Sequence, residues 1–249
     1  DLHSTSRRQR QMCIRDSPMM DATSWKEKSQ YFASPRQQGA GLINVANALR
    51  NEVVATFKNT DSKGLVNSYG SISLKEIKGD KKYFTIKLHN TSNRPLTFKV
   101  SASAITTDAL TDRLKLDETY KDEKSPDGKQ IVPEIHPEKI KGANITFEHD
   151  TFTIGPNSSF DLNAVINVGE AKNKNKFVES FIHFESVEEM EALNSNGKKI
   201  NFQPSLSMPL MGFAGNWNHE PILDKWAWEE GSKSKTMEGY DDDLSLIHI

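Results

Sequence analysis

The sequence predicts a mainly β protein: an antiparallel β-sandwich preceded by a short helical segment. Three observations carry this. From about Val53 onward, apolar and polar residues alternate with a period of two in several stretches. Clusters of turn-forming residues separate those stretches. Strand and helix patterns do not alternate along the chain, so a parallel sheet covered by helices is not indicated.

Residues 18–49 read as coil and then a short helix. Pro35 sets the chain's entry, and Gly39 and Gly41 permit close backbone approach. Asn44 is placed to cap a helix whose Val45, Ala48 and Leu49 share one side. This piece is too short to own a core.

The strands then follow in order. Residues 83–89 put Phe84, Ile86 and Leu88 on one face and Thr85, Lys87 and His89 on the other. Residues 90–95 form a turn, after which Leu96, Phe98, Val100 and Ala102 point inward. Residues 106–142 are long, charged and weakly periodic. Two short strands, 114–120 and 129–135, flank the turn Ser125-Pro126-Asp127-Gly128, so this stretch reads as a hairpin on the sheet rim.

Gly155-Pro156-Asn157 opens the clearest strand, in which Phe160, Leu162, Ala164, Ile166 and Val168 alternate with polar residues. Lys172, Lys174 and Lys176 then mark a charged hairpin loop. Residues 177–185 are apolar on both faces, so that strand is expected to be central or covered. Ser186 and Glu189 form a capping box, and Val187, Met190 and Leu193 supply one side of a short helix. Ile200, Phe202, Leu206, Met208 and Leu210 keep one parity as far as Gly212. Pro204 and Pro209 demote parts of that run to an edge or a bulge.

Composition bounds the function. The 249 residues, 35% hydrophobic and 27% charged, suit at most two ordinary domains. Lys+Arg 32 against Asp+Glu 34 leaves no basic footprint for nucleic acid. The apolar runs are too short for membrane insertion. Cys13 is the one cysteine, which excludes an internal disulfide framework and a thiolate metal cluster.

Motifs with a mechanism are lacking: there is no H-E-x-x-H, P-loop, G-x-S-x-G or G-x-G-x-x-G. Ser207, His183 and Asp161 could be assembled as a triad on paper, but triads are recognised by geometry. The bland reading of His183 is a solvent-facing strand residue. Asp241-Asp242-Asp243 lacks the spaced oxygen ligands of a calcium loop. No metal and no cofactor are therefore expected. Asn90, Asn144 and Asn157 open formal glycosylation sequons that read as turns.

Trp217, Trp226 and Trp228 lie within twelve residues, beside Asn216, Asn218 and His219. They form a possible binding surface for sugar rings. The competing reading is burial at the end of the sandwich or against a following domain.

The motif SPRQQGAG (residues 34–41), with the helix after it, resembles the closing segment of subtilisin-like serine proteases of the Gram-positive cell envelope. The likeness is to the lactocepin and streptococcal complement-cleaving peptidase type. It continues through HNTSNRPLTFKV (89–100), TIGPNSSFDLNAVINV (153–168), FVESFIHFES (177–186) and PLMGFAGNW (209–217). The resemblance implies an immunoglobulin/fibronectin III-like sandwich after a protease domain, in a secreted, cell-wall-associated protein. The family's catalytic Asp, His and Ser would lie upstream of Pro18, and its Gly-Thr-Ser-Met signature is missing, so no catalytic residue transfers to any position here.

The implied role is a scaffold that packs on the protease domain and aids substrate positioning, with that domain and the protease's protein substrate as partners. The alternative is a module binding carbohydrate or a host protein. The expected organisation is residues 1–17 as non-native, adaptor-like sequence and 18–50 as the end of the protease domain. The sandwich follows at 51–217, then a linker at 218–243 and further non-native sequence at 244–249. A basic N-terminal arm and a short terminal strand are the rival readings of the two ends.

Overall fold

Two sheets face each other, and the alternation along each strand decides which side chains lie between them. The computed structural model describes residues 15–17, 31–60, 63–115, 130–187, 191–193, 197 and 199–218. The N-terminal part holds β1 (Arg15–Ser17), the one-turn helix α1 (Pro35–Gln38), β2 (Leu42–Ile43) and α2 (Val45–Arg50). Strands β3 (Val53–Thr60), β4 (Val66–Tyr69), β5 (Ile72–Ile77), β6 (Lys81–Asn90) and β7 (Leu96–Ala102) follow. Next come β8 (Thr106–Lys115), β9 (Gln130–Lys139), β10 (Asn144–Phe147), β11 (Thr151–Ile154) and β12 (Ser159–Asn167). The last are β13 (Lys176–Ser186), β14 (Glu191–Leu193), β15 (Lys199–Asn201) and β16 (Leu206–Ala214).

Five strands form one sheet in the order β10-β12-β6-β3-β4. The larger sheet runs β11-β7-β13-β16-β5, with the β8-β9 hairpin joined to β13. Its β16–β5 pairing is parallel, while its other pairings are antiparallel. Phe84, Ile86, Leu88, Leu162 and Ile166 from the smaller sheet share one buried core with Phe98, Ile182, Phe184 and Leu210 from the larger. Phe152 and Phe160 stack across it at 4.6 Å. The sandwich read from the alternation is therefore the observed fold.

The turn after β6 crosses from one sheet to the other. Asn90, fully buried, holds this corner: its Nδ2 donates to the carbonyls of Arg94 (2.7 Å) and Gly155 (3.1 Å), and its Oδ1 accepts from the Ser92 backbone N–H. An asparagine so enclosed is a structural residue, as its turn reading implied. At the exposed edge of β5, Lys82 Nζ donates to the carbonyls of Leu74 and Glu76. This blocks two edge acceptors from pairing with another strand.

Several sequence expectations are corrected. Residues 191–193 pair with 199–201 as strands, with Ala192 opposite Ile200, where a helix was expected. Helical spacing over so few residues is weak against a cross-strand partner. The rim hairpin is present, but its strands start at Thr106 and end at Lys139, longer than read. The lysine-rich turn at 172–176 links β12 to β13 across the sheets and is not a hairpin loop. Pro209 lies in β16, an internal strand, opposite Phe181 on β13 and one residue before pairing with β5 begins. The lost N–H is tolerated there because the ladder to β5 starts at Leu210, and the register shift comes later, between Met211 and Phe213. Arg15–Ser17 pairs with Leu42–Ile43, inside the stretch expected to be non-native sequence. The rest of 1–17, and 219–249, fall outside the described residues.

Candidate functional site

On β13 the inward parity, Val178, Ile182 and Phe184, belongs to the core. The outward parity is Phe177, Glu179, Phe181 and His183, and opposite these on β16 stand Phe213, Met211, Pro209 and Ser207. The larger sheet thus presents a second apolar face, away from the core.

One half of that face is covered by residues 31–38. Phe32 packs edge-on to Phe181 at 5.6 Å and against the His183 ring at 5.7 Å. Ser34 Oγ donates to Glu179 Oε1 at 2.8 Å, and Arg36 Nε donates to the same oxygen at 2.6 Å. Glu179 is 1% exposed. A carboxylate so enclosed is stable only with donors in place, so the two bonds and the burial require each other. The Arg36 guanidinium also lies over the Phe177 ring, 4.0 Å from its centroid. α1 is compatible with this docking because Ser34 caps it, accepting from Arg36 N, and Pro35 stands in its first turn.

His183 is half buried, not solvent-facing as expected, because Phe32 lies on it. Burial lowers its imidazole below the usual range for protonation. Ser207 is directly opposite in the ladder. Asp161 lies on β12 of the other sheet, exposed and opposite Lys87, so the paper triad is not assembled. Among the described residues, no group of three or more His, Cys, Asp or Glu is placed to hold a metal ion. The acidic triplet 241–243 lies outside them.

The other half of the face is an open cleft of about 610 Å³. Phe177, Met211 and Phe213 form its floor, while Ser73, Glu76 and Lys78 stand along one wall. Trp217 is at the lip, 56% exposed. It packs edge-on against Phe213 (4.9 Å) and Phe177 (5.6 Å), and its backbone N–H donates to Glu76 Oε1 at 2.8 Å. These contacts hold the indole in place. Of the three tryptophans singled out in the sequence, Trp217 is here, whereas Trp226 and Trp228 lie outside the described residues.

Sequence reasoning missed the Ser34–Arg36–Glu179 contact and the cleft floor. Two signals were available. Glu179 is an acid in the middle of a strand apolar on both faces, and Met211 and Phe213 are apolar on the outward parity of β16.

The class of protein follows from this architecture. A family model described as an Fn3-like domain matches residues 72–211, and the chain belongs to that family. It is also 26% identical over 193 residues to the PII-type proteinase of Lacticaseibacillus paracasei and to the PI-type proteinase of Lactococcus lactis subsp. cremoris. Each match spans 78% of this chain and 8% of the proteinase, so the chain corresponds to a small part of these relatives. Among solved structures it is similar to a PapD-like domain of human CEP192, with 12% identity and a TM-score of 0.37 over 66% of this chain and 85% of that one.

Proposed function

We propose that this chain is a non-catalytic accessory domain of a subtilisin-like serine endopeptidase. In this reading the parent is secreted and held at the Gram-positive cell wall. Residues 18–50 close its protease domain, 51–217 are the sandwich, and 218–243 lead onward. The sandwich packs on the protease domain and helps to position a protein substrate.

The observation that carries this reading is the docking of residues 31–36 onto β13. The segment that resembles the end of a protease domain is pinned to the sandwich through a buried carboxylate, Glu179, by donors at Ser34 and Arg36. A pinned connection transmits orientation, whereas a free linker does not. Further support comes from what the segment leaves uncovered: Leu42, Val45 and Leu49 are exposed, Leu49 at 84%. Apolar side chains grouped in this way suit burial against a neighbouring domain.

The test joins this chain to its upstream reading frame. The longer protein is compared with and without residues 51–217, in casein hydrolysis and in thermal inactivation. The chain alone is expected to hydrolyse nothing. The longer protein is expected to be active, and removal of the sandwich is expected to shorten its half-life and raise KM for casein. Serine-inhibitor-sensitive hydrolysis by this chain alone would overturn the reading, as would a protease indifferent to the deletion.

A further inference from the structure

The lip of the cleft is a built structure. Three successive backbone N–H groups there donate to side-chain oxygens: Asn216 to Asn175 Oδ1 at 2.9 Å, Trp217 to Glu76 Oε1 at 2.8 Å, and Asn218 to Asn216 Oδ1 at 3.1 Å. Gly215 permits the approach of Asn175, because a Cβ at that position would collide with it. Phe177, which packs edge-on to the Trp217 indole, lies in turn under the Arg36 guanidinium. A large aromatic side chain is thus held in one place and is still more than half exposed. An aromatic surface fixed in advance binds a ligand at little cost in side-chain entropy.

Each charged group lining the cleft is already engaged within the protein. Lys75 Nζ donates to the Thr60 carbonyl, Lys78 Nζ lies 3.6 Å from Glu76 Oε2, and Glu76 Oε1 holds the Trp217 N–H. A charged ligand would have to displace one of these contacts, so charge complementarity favours an uncharged one. The adjoining edge of β5 is closed as well, since Lys82 occupies the carbonyls of Leu74 and Glu76. An extended peptide cannot pair with those two carbonyls as an added strand.

Two kinds of surface are left to a ligand. Trp217, Phe177, Phe213 and Met211 form an apolar centre. The Ser73 hydroxyl, the Asn218 amide and the remaining lone pairs of the Glu76 carboxylate form a polar border. A pyranose ring is built to the same plan, with C–H groups on its faces and hydroxyls around its edge. The cleft volume of about 610 Å³ falls in the range of small-molecule sites.

We propose that the Trp217 cleft binds an uncharged oligosaccharide, one sugar face lying on the aromatic centre and the ring hydroxyls bonding to Glu76, Ser73 and Asn218. This places the sugar-binding surface at one tryptophan and its partners on β5, β13 and β16. It does not rest on the accessory-domain reading, and the two fail independently.

The test titrates the full chain, methyl-labelled at methionine, with cellotriose, maltotriose and triacetylchitotriose, read by nuclear magnetic resonance. Met211 is on the cleft floor and Met208 is in the core, so one reports on the site and the other on the fold. At least one trisaccharide is expected to move the Met211 methyl saturably, with a Kd on the order of 1 mM, while Met208 stays. Trp217→Ala should raise that Kd about tenfold or more. Glu76→Gln, which keeps an acceptor for the Trp217 N–H, should raise it a few-fold, and Tyr83→Ser on the other sheet should leave it unchanged. If Met208 moves in Trp217→Ala, Glu76→Gln decides alone. Three trisaccharides without effect on Met211 overturn the proposal, as does binding that survives both cleft substitutions. So does a Met211 shift produced by an amphipathic, leucine-rich helical peptide and by none of the sugars, which would make the cleft a protein groove.

Discussion

The two sheets differ most on the sides facing away from the core. On the smaller sheet, β6 and β12 alternate strictly, and the outward set is mostly polar: Thr85, Lys87, Asp161 and Asn163 are all exposed, with Tyr83 and Val165 paired beside them. Thr85 Oγ1 donates to Asn163 Oδ1 at 2.8 Å, a cross-strand bond fully open to water. On the larger sheet, β13 and β16 set Phe177, Phe181, Pro209 and Phe213 on the outward side, under residues 31–38 or along the cleft. One sheet has a single buried face, whereas the other has a second apolar face that residues 31–38 cover over half its extent. A strand with one buried face shows period two, whereas a strand with two shows a continuous apolar run. The difference identifies the side of the sandwich on which residues 31–38 lie.

That contrast can be broken most strongly at Glu179. Replacing it by Ala removes the acceptor shared by Ser34 and Arg36 from a site that excludes water. Denaturant unfolding should show a loss of about 3 kcal/mol, and residues 31–36 should become susceptible to proteolysis. Retained stability and protection would mean that the segment is not pinned by this contact.

A matched pair of substitutions sharpens it. Phe181→Ser on the covered face should cost about 3 kcal/mol through lost burial beneath Phe32. Tyr83→Ser on the bare face, where Tyr83 is 78% exposed, should stay within about 0.5 kcal/mol. Equal losses in thermal unfolding would abolish the distinction between the faces.

The smallest effect is the pH dependence at His183. Its folded-state proton affinity is lowered by burial, so the unfolded chain binds more protons over the interval just below the ordinary histidine range. Stability therefore rises with pH through that interval. The penalty is absent above about pH 6.5 and grows as the pH falls below it. His183→Gln should flatten the fall in Tm between pH 7 and 5 by a few degrees at most. An unchanged slope would show that the ring is not desolvated by Phe32.

Much of this was legible before any coordinates. The inward sets of β6, β7 and β12 are the buried sets, because one apolar face per strand leaves a single consistent way to stack two sheets. Asn44 caps α2 as its residue type suggested, accepting from Asn47 N at 3.1 Å. The errors have a common origin. Residues 187–193 satisfy a helical template over less than two turns, too short to resist pairing with 199–201. Pro209 was demoted by a rule about ladder donors, yet it sits where one side of the ladder has not begun. The candidate face was half legible: Trp217 was singled out, but its floor was not.

Local pattern determined the strands, their inward residues, the caps and the absence of a recognisable catalytic motif, because each depends on neighbours a few positions apart. Tertiary structure alone decided that Ser34 and Arg36 meet Glu179, 145 and 143 residues away. It also brought β5 beside β16 in parallel and raised a cleft under Trp217. Such contacts depend on which strands lie side by side across two sheets, and a period of two says which side of a strand is buried without saying what will cover the other.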